Sequence, residues 1–202
     1  SNISTLDLKL TKNIGKRAFF GSKIETVEGS QEIISLGESS FENASKLKYI
    51  NNVNIQKIDA KAFKNCIELN KVSTLACDEI ANEAFYNCTK LEHITLDNIN
   101  KIGNFAFYNT QSLEIANLEN VESLGEAAFQ NSNLKEIDLK SLKNDTWVSA
   151  FENCKNLQKV DNFQNNNVRK IPNNAFKNCS SLIYINTINI TSFGDYAFYQ
   201  CS

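Results

Sequence analysis

The stretch that decides the fold is Ile102-Gly-Asn-Phe-Ala-Phe-Tyr-Asn109. Its Ala-Phe pair recurs along the 202-residue chain, with serine in place of alanine in one copy. The spacing is 22 residues six times over, then 25, then 22. The recurring phenylalanines are Phe19, Phe41, Phe63, Phe85, Phe107, Phe129, Phe151, Phe176 and Phe198. A fixed period of this length is typical of a solenoid, in which each repeat buries its apolar face against its neighbours.

Other positions keep the same register around each phenylalanine. An aliphatic residue usually stands five positions before it, asparagine two positions after it, and a small residue, often cysteine, three after it. The stretch that follows, such as Leu91-x-x-Ile94-x-Leu96, alternates apolar and polar residues and predicts a strand. The spacing of about four residues in Ile-Gly-x-x-Ala-Phe predicts a turn or two of helix. The phenylalanines are expected to stack in one column, one ring per coil of the solenoid.

Two segments resemble the BspA-type leucine-rich repeat, namely 102–109 and Ala84-Phe-Tyr-Asn-Cys-Thr-Lys-Leu-Glu-His-Ile94. The resemblance covers essentially the whole chain. We therefore predict an α/β leucine-rich-repeat solenoid, with parallel strands on one face, short helices on the other and about 22 residues per coil. Residues 1–202 are expected to form a single solenoid domain that starts and ends inside a repeat, as a fragment of a longer array.

The same resemblance implies where such a protein acts and what it binds. It implies surface or secreted proteins of gut and oral bacteria and of some protozoan parasites. It also implies adhesion to host matrix proteins or to other cells. We therefore expect an extracellular or cell-surface location, although this segment carries no targeting signal of its own.

The repeat is least regular between residues 143 and 172. Trp147 stands where other copies have glycine, Lys143 stands where they have isoleucine or valine, and three asparagines are inserted after Phe163. One interpretation is an insertion tolerated in a surface loop. The other is a bulge that contacts a partner through exposed Trp147 and Phe163, because aromatic residues are enriched at binding hot spots.

The cysteines and asparagines follow the repeat too. Five of the 6 cysteines stand three residues after a phenylalanine, and Cys77 takes an aliphatic position. This pattern predicts buried free thiols, with disulfides between successive coils as the alternative. Zinc is not expected because no C-x-x-C cluster exists. The asparagines two residues after each phenylalanine are expected to form a hydrogen-bonded ladder.

Composition excludes several classes of function. A net charge of −2 argues against nucleic acid as the main partner. The single histidine, His93, has no nucleophile or carboxylate in a recognisable catalytic arrangement, and no phosphate-binding or hydrolase motif occurs. No run of about 18 apolar residues is present, so no membrane insertion is expected in this segment. We predict no catalytic residue, no cofactor and no metal site.

The outward positions of the predicted strands are the natural binding surface of a solenoid. They lie two and four residues after the leucine that opens each strand, and Ile115 and Asn117 hold these positions in one strand. The surface is mixed and polar with scattered tyrosines. The candidate partner-binding residues are Tyr49, Asn51, Lys71, Ser73, His93, Thr95, Glu136, Asp138, Lys159, Asp161, Tyr184 and Asn186.

Three hypotheses about function follow. The first is a non-enzymatic, adhesin-like module at the cell surface or secreted, which binds a protein partner through these strand positions. The second is an intracellular scaffold for protein–protein interaction, with which reduced cysteines are compatible. The third is the recognition part of an enzyme whose catalytic domain lies elsewhere in a longer chain.

Overall fold

The structure is a computed structural model, which describes residues 3–29, 33–51, 53–72, 75–161 and 168–201. Within these ranges the chain forms short strands separated by turns. In chain order they are β1 (Thr5–Asp7), β2 (Asn13–Ile14), β3 (Thr26–Glu28), β4 (Ile33–Leu36), β5 (Tyr49–Asn51), β6 (Asn54–Ile58), β7 (Lys71–Val72), β8 (Glu79–Ile80), β9 (Lys101–Ile102), β10 (Ser123–Leu124), β11 (Glu136–Asp138), β12 (Lys159–Asp161), β13 (Lys170–Ile171), β14 (Tyr184–Ile185) and β15 (Ser192–Phe193).

These strands form two sides of a parallel solenoid. The first side, here called the strand face, carries the sheets β1-β3-β5-β7 and β11-β12-β14. The second side, here called the second sheet face, carries β2-β4-β6, β8-β9-β10 and β13-β15. Each pairing joins equivalent positions of successive coils, as in Tyr49 opposite Lys71. The solenoid with a period of about 22 residues is therefore confirmed.

The predicted helices are wrong, because the described part of the chain contains no helix. The Ile-Gly-x-x-Ala-Phe segments form successive tight turns instead. Residues two before and two after each phenylalanine have positive φ, for example Glu83 at 57° and Asn87 at 59° around Phe85. Left-handed backbone at every fourth position interrupts the right-handed hydrogen-bond pattern that a helix requires.

The hydrogen bonds of these turns explain why the left-handed residues are there. The amide of Tyr86 bonds within its own turn, to the carbonyl of Glu83 at 3.1 Å. The amide of Phe85 instead reaches the next coil, where the carbonyl of Ala106 accepts at 2.8 Å. Along each turn segment, the backbone amides thus donate alternately within the turn and to the neighbouring coil. The turn segments are therefore a third ladder between coils, and a helix would remove it.

The core is the predicted column of phenylalanine rings. All eight neighbouring pairs from Phe19 to Phe198 are stacked, with ring centroids 5.0 to 5.8 Å apart. The seven rings from Phe41 to Phe176 are fully buried. Offset aromatic pairs at this spacing contribute about 0.5–1.5 kcal/mol each beyond the area they bury. One ring per coil therefore fixes the register of the whole stack.

An asparagine ladder runs beside this column, as predicted. In five coils the side-chain amide donates to the side-chain carbonyl of the asparagine one coil earlier. The bonds run Asn65 to Asn43, Asn87 to Asn65, Asn109 to Asn87, Asn153 to Asn131 and Asn178 to Asn153, at 2.6–3.2 Å. The same asparagines hold positive φ, which asparagine tolerates better than most residues. One residue type therefore serves both the turn and the contact between coils.

The irregular copy buries its tryptophan, whereas its inserted asparagines 165–167 lie outside the described residues. Trp147 is fully buried, and its indole Nε1 donates to the carbonyl of Asn144 at 3.0 Å. Its ring packs edge-on against Phe151 and Phe176. The expectation of an exposed Trp147 is therefore wrong, because its ring packs into the core against the phenylalanine column.

One missing residue explains why Lys143 stands at an aliphatic position when the repeats are aligned by their phenylalanines. The preceding copy is one residue shorter between its phenylalanine and its strand, which shifts the register by one. Leu142 therefore takes the buried aliphatic position, and its amide bonds to the carbonyl of Leu139 as Val121 bonds to Leu118. Lys143 points outward and pairs with Glu122 at 2.6 Å.

Candidate binding surface

The strand face places the candidate partner-binding residues in two columns along the solenoid. In the first column, Tyr49 lies opposite Lys71 and Lys71 opposite His93. Further along, Glu136 lies opposite Lys159 and Lys159 opposite Tyr184. These side chains are exposed or half-exposed, because alternate residues of a strand point to opposite sides of a sheet. The structure thus brings residues from separate repeats onto one side of the solenoid.

The second column is more acidic than the first. Asp138 and Asp161 are direct register partners. Asn51 donates through Nδ2 to the carboxylate of Glu28 at 2.9 Å. Lys159 of the first column pairs with Asp161 at 2.7 Å, and this hydrogen-bonded carboxylate raises the pKa of the lysine. Charges of both signs therefore alternate over this surface.

Other candidates lie at the edges of this arrangement or outside it. Thr95 is exposed beside His93, and Asn186 accepts a hydrogen bond from the amide of Ile188 at 3.1 Å. Ser73 and Phe163 lie outside the residues that the structure describes.

On the strand face, the backbone hydrogen bonds that join successive coils are interrupted between two of the described coils. This interruption is here called the opening. At the other junctions of this face a backbone amide donates to the preceding coil, as Glu92 does to Asn70 at 3.0 Å and Lys135 to Glu114 at 3.1 Å. Between segments 91–96 and 113–118, both fully described, no backbone hydrogen bond is formed. The same two coils stay joined on the second sheet face, where Glu79 pairs with Lys101. The opening is therefore confined to the strand face.

A groove of about 630 Å³ occupies this opening, lined by residues 92–95, 111, 112, 114, 115 and 133. Ile115 stands on its outer edge with 76% of its surface exposed. Ala116 takes the inward position that Ile94 and Ile137 take in the neighbouring coils. A small inward residue gives this segment fewer core contacts with its neighbour. Sequence reasoning placed Ile115 outward but did not include it among the candidate contacts.

The turn segments carry a second group of aromatic side chains. Tyr86 and Tyr108 stack with their ring centroids 4.8 Å apart, and Phe105 meets Tyr108 edge-on. The ammonium of Lys64 lies 4.6 Å from the centroid of Tyr86. Because the ring faces cover one another, this group presents mainly ring edges to a partner. It is a weaker candidate surface than the strand face.

The cysteines are placed for packing and not for nucleophilic chemistry. All six are free thiols, and five are buried. Burial raises the pKa of Cys154 to about 12 and that of Cys77 to about 11. A reactive cysteine needs the opposite shift, since the thiolate is the nucleophile.

Metal-binding clusters and membrane-spanning helices are both absent from the described residues. Within the described ranges, no group of three or more histidine, cysteine or acidic residues is placed to hold a metal ion. In the same part of the chain, no helix has the length and apolarity that crossing a bilayer requires.

Comparison with known proteins agrees with this architecture. The profile described as BspA type Leucine rich repeat region matches the chain in six copies, over residues 1–78 and 78–202. The resemblance seen in the sequence is therefore confirmed. No curated protein is significantly similar to this sequence.

Several solved structures are similar to this chain at low identity. The T. pallidum Leucine Rich Repeat protein is 20% identical, with 91% of this chain and 79% of that chain covered and a TM-score of 0.53. A leucine rich cell surface protein from Faecalibacterium prausnitzii is 18% identical, covering 100% and 80%, with a TM-score of 0.47. A leucine-rich repeat protein from Eubacterium ventriosum is 19% identical, covering 98% and 77%, with a TM-score of 0.48. The first likeness supports the fold alone, whereas the profile match covers the whole chain. This chain belongs to the BspA-type leucine-rich repeat family.

Proposed function

We propose that this chain is a non-enzymatic binding module that contacts a protein partner through its strand face. The observation that carries the proposal is the column of exposed side chains that the parallel register aligns from separate repeats on both sides of the opening. Solenoids use such extended surfaces for binding. Tyrosine is enriched among interface hot spots, and both Tyr49 and Tyr184 are exposed in this column.

The class of partner follows from the family and from the charge of the surface. The family resemblance favours a host matrix protein or a cell-surface protein, and hence a secreted or surface-attached location. The strand face mixes both signs of charge, as Lys159 beside Asp161 illustrates. A mixed surface favours a folded or extended protein over an anionic polymer or a lipid surface.

An intracellular scaffold is the second candidate function. The observation that favours it is the set of six free cysteines, because persistent disulfides are rare in the cytosol. Protease shaving of intact source cells, followed by immunoblotting, separates the two locations. Loss of the protein supports surface display, and survival of the protein until lysis supports the scaffold.

A binding screen against immobilised matrix proteins and whole host cells tests the proposed function. The triple variant Tyr49→Ala, Lys71→Ala, Tyr184→Ala is expected to weaken binding about tenfold or more, since each truncation of a hot-spot residue costs at least about 1 kcal/mol.

The matched control replaces three exposed residues of the turn segments, Glu126→Ala, Lys155→Ala and Tyr199→Ala. Its circular dichroism and its affinity should match those of the original chain. A folded chain that binds no protein in the screen, or that loses affinity only in the control variant, contradicts the proposal.

A further inference from the structure

The opening in the strand face leaves backbone groups available for a partner. The amide of Glu114 and the carbonyl of Glu92 occupy the positions that are hydrogen-bonded at the junctions of the neighbouring coils, yet no described group bonds to either. Unpaired strand groups of this kind are the template by which a sheet edge accepts an extended peptide.

An exposed aliphatic residue stands at the same place. Ile115 is 76% exposed, whereas its register partner in the next coil is Glu136 and the equivalent position one coil earlier is His93. An aliphatic side chain amid polar neighbours offers apolar contact at the centre of a polar rim. This is the usual anatomy of a small protein interface.

The charges around Ile115 are not balanced. Glu114 is paired with Lys135 at 2.6 Å. Among the described residues, Glu92 has only the imidazole of His93 near its carboxylate, at 3.8 Å. The carboxylate of Glu92, close to an exposed isoleucine, complements a cation carried on an apolar stem.

We propose that this opening binds an extended segment of a protein partner through a lysine or arginine side chain. The stem of that side chain lies on Ile115, and its charged head donates to the carboxylate and carbonyl of Glu92. Long basic side chains combine these two contacts because their methylene groups pack while their charge stays hydrated. The amide of Glu114 donates a hydrogen bond to a backbone carbonyl of the same segment. This inference rests on the proposed function, since it names the chemistry of the partner at one point of the strand face.

The test uses synthetic peptides and therefore needs no natural partner. The uniformly ¹⁵N-labelled chain is titrated with the acetylated, amidated peptide Ser-Thr-Val-Arg-Val-Thr-Ser and with the same peptide carrying glutamate for arginine. The arginine peptide should shift the amide resonances of Glu114 and Ile115 and slow hydrogen exchange at Glu114. The glutamate peptide should bind at least about fivefold more weakly, a difference of about 1 kcal/mol.

Two substitutions and a control complete the design. Ile115→Ser and Glu92→Gln should each weaken the arginine peptide about fivefold, and both side chains are exposed, so the fold is retained. Leu10→Ser, at an aliphatic residue 88% exposed elsewhere, should leave the affinity unchanged.

The outcomes separate the two proposals. Equal binding of the two peptides, or shifts that avoid residues 92–95 and 114–115, overturns the inference. A natural partner that depends on Tyr49 and Tyr184 but not on Ile115 overturns it too, and leaves the proposed function standing. The proposed function is contradicted instead if the peptide binds at the opening but the triple variant of Tyr49, Lys71 and Tyr184 binds every protein partner as tightly as the original chain.

Discussion

The thiol of Cys88 donates a hydrogen bond to the backbone carbonyl of Phe63, one coil earlier, at 3.1 Å. Cys66, Cys154, Cys179 and Cys201 repeat this contact with the phenylalanine of the preceding coil, at 2.9–3.2 Å. The cysteine column and the phenylalanine column are therefore joined to each other through the backbone. The cysteine column fills the core, and its thiols bond to carbonyls whose other partner is an amide of the same turn.

This contact predicts that the native thiols are inert. Burial raises the pKa of all six cysteines, that of Cys154 to about 12, so the thiolate is scarce at mildly alkaline pH. Iodoacetamide labelling followed by intact mass should modify only Cys201, which is half-buried, in the folded chain. All six should react in denaturant without a reductant. A mass two daltons lower per bridge before reduction would show disulfides between coils and contradict this arrangement.

The phenylalanine column predicts a large cost for truncating a central ring. Phe107 is fully buried and stacks on Phe85 and Phe129 with centroids 5.2 and 5.0 Å away. Phe107→Ala should lower the free energy of unfolding by about 3–5 kcal/mol, measured by urea denaturation. Phe20→Ala, at a ring 39% exposed, is the control and should cost less than about 1 kcal/mol. Similar losses of unfolding free energy in both variants would mean that the phenylalanine column does not stabilise the core.

The turn segments predict a reversal of the usual ranking of glycine and alanine. Asn87 has a φ of 59°, which glycine adopts freely and alanine does not. Asn87→Gly should therefore be more stable than Asn87→Ala by about 1 kcal/mol, even though both lose the bond to Asn65. In a helix the order is opposite, with alanine better by about 1 kcal/mol. Urea denaturation of both variants decides between a left-handed turn and a helix at this position. A more stable alanine variant would favour the helix.

The ion pairs between coils predict a loss of stability in acid. Glu25, Glu38, Glu68 and Glu119 each accept a hydrogen bond from a lysine one coil away, which lowers the pKa of each carboxyl below its ordinary value. A carboxyl with a lower pKa in the folded chain stabilises the fold above its unfolded pKa. That contribution is lost as the pH falls through the folded pKa.

The midpoint of thermal unfolding should therefore fall only below about pH 4.5, where these carboxyls begin to take up protons. The drop should be modest, since the pairs are exposed and screened, and smaller still in high salt. Lys48→Gln should reduce the drop, because Glu25 then loses its partner. A midpoint that rises on acidification contradicts this account.

Much of the fold was predictable because it is carried by residue types that repeat in register. The spacing of Phe85 and Phe107 gives the 22-residue period, and the equivalent positions of Asn87 and Asn109 indicate the asparagine ladder. The turns were not predictable, because Phe105 and Lys61 hold positive φ although neither residue type favours it. What places them there is the hydrogen bond to the next coil, and no single repeat contains that information. The four-residue apolar spacing fits a helix and a pair of tight turns equally well.

The candidate binding surface was also predictable only in part. Outward positions such as Tyr49 and Lys71 follow from strand alternation. Trp147 was misjudged because its burial depends on packing against Phe151 and Phe176, which the repeat pattern does not reveal. The opening beside Ile115 depends on hydrogen bonds that are not made between two coils, and composition does not report those. Such features arise between repeats and require the assembled stack.

The central claim is that the strand face is the surface that binds. Hydrogen–deuterium exchange with and without a partner taken from the binding screen tests it most directly. The account predicts slower exchange in segments 49–51, 92–96, 113–118, 136–138 and 159–161, with segments 81–88 and 103–110 of the turns unchanged. Protection confined to the turn segments, or spread evenly along the chain, would contradict it.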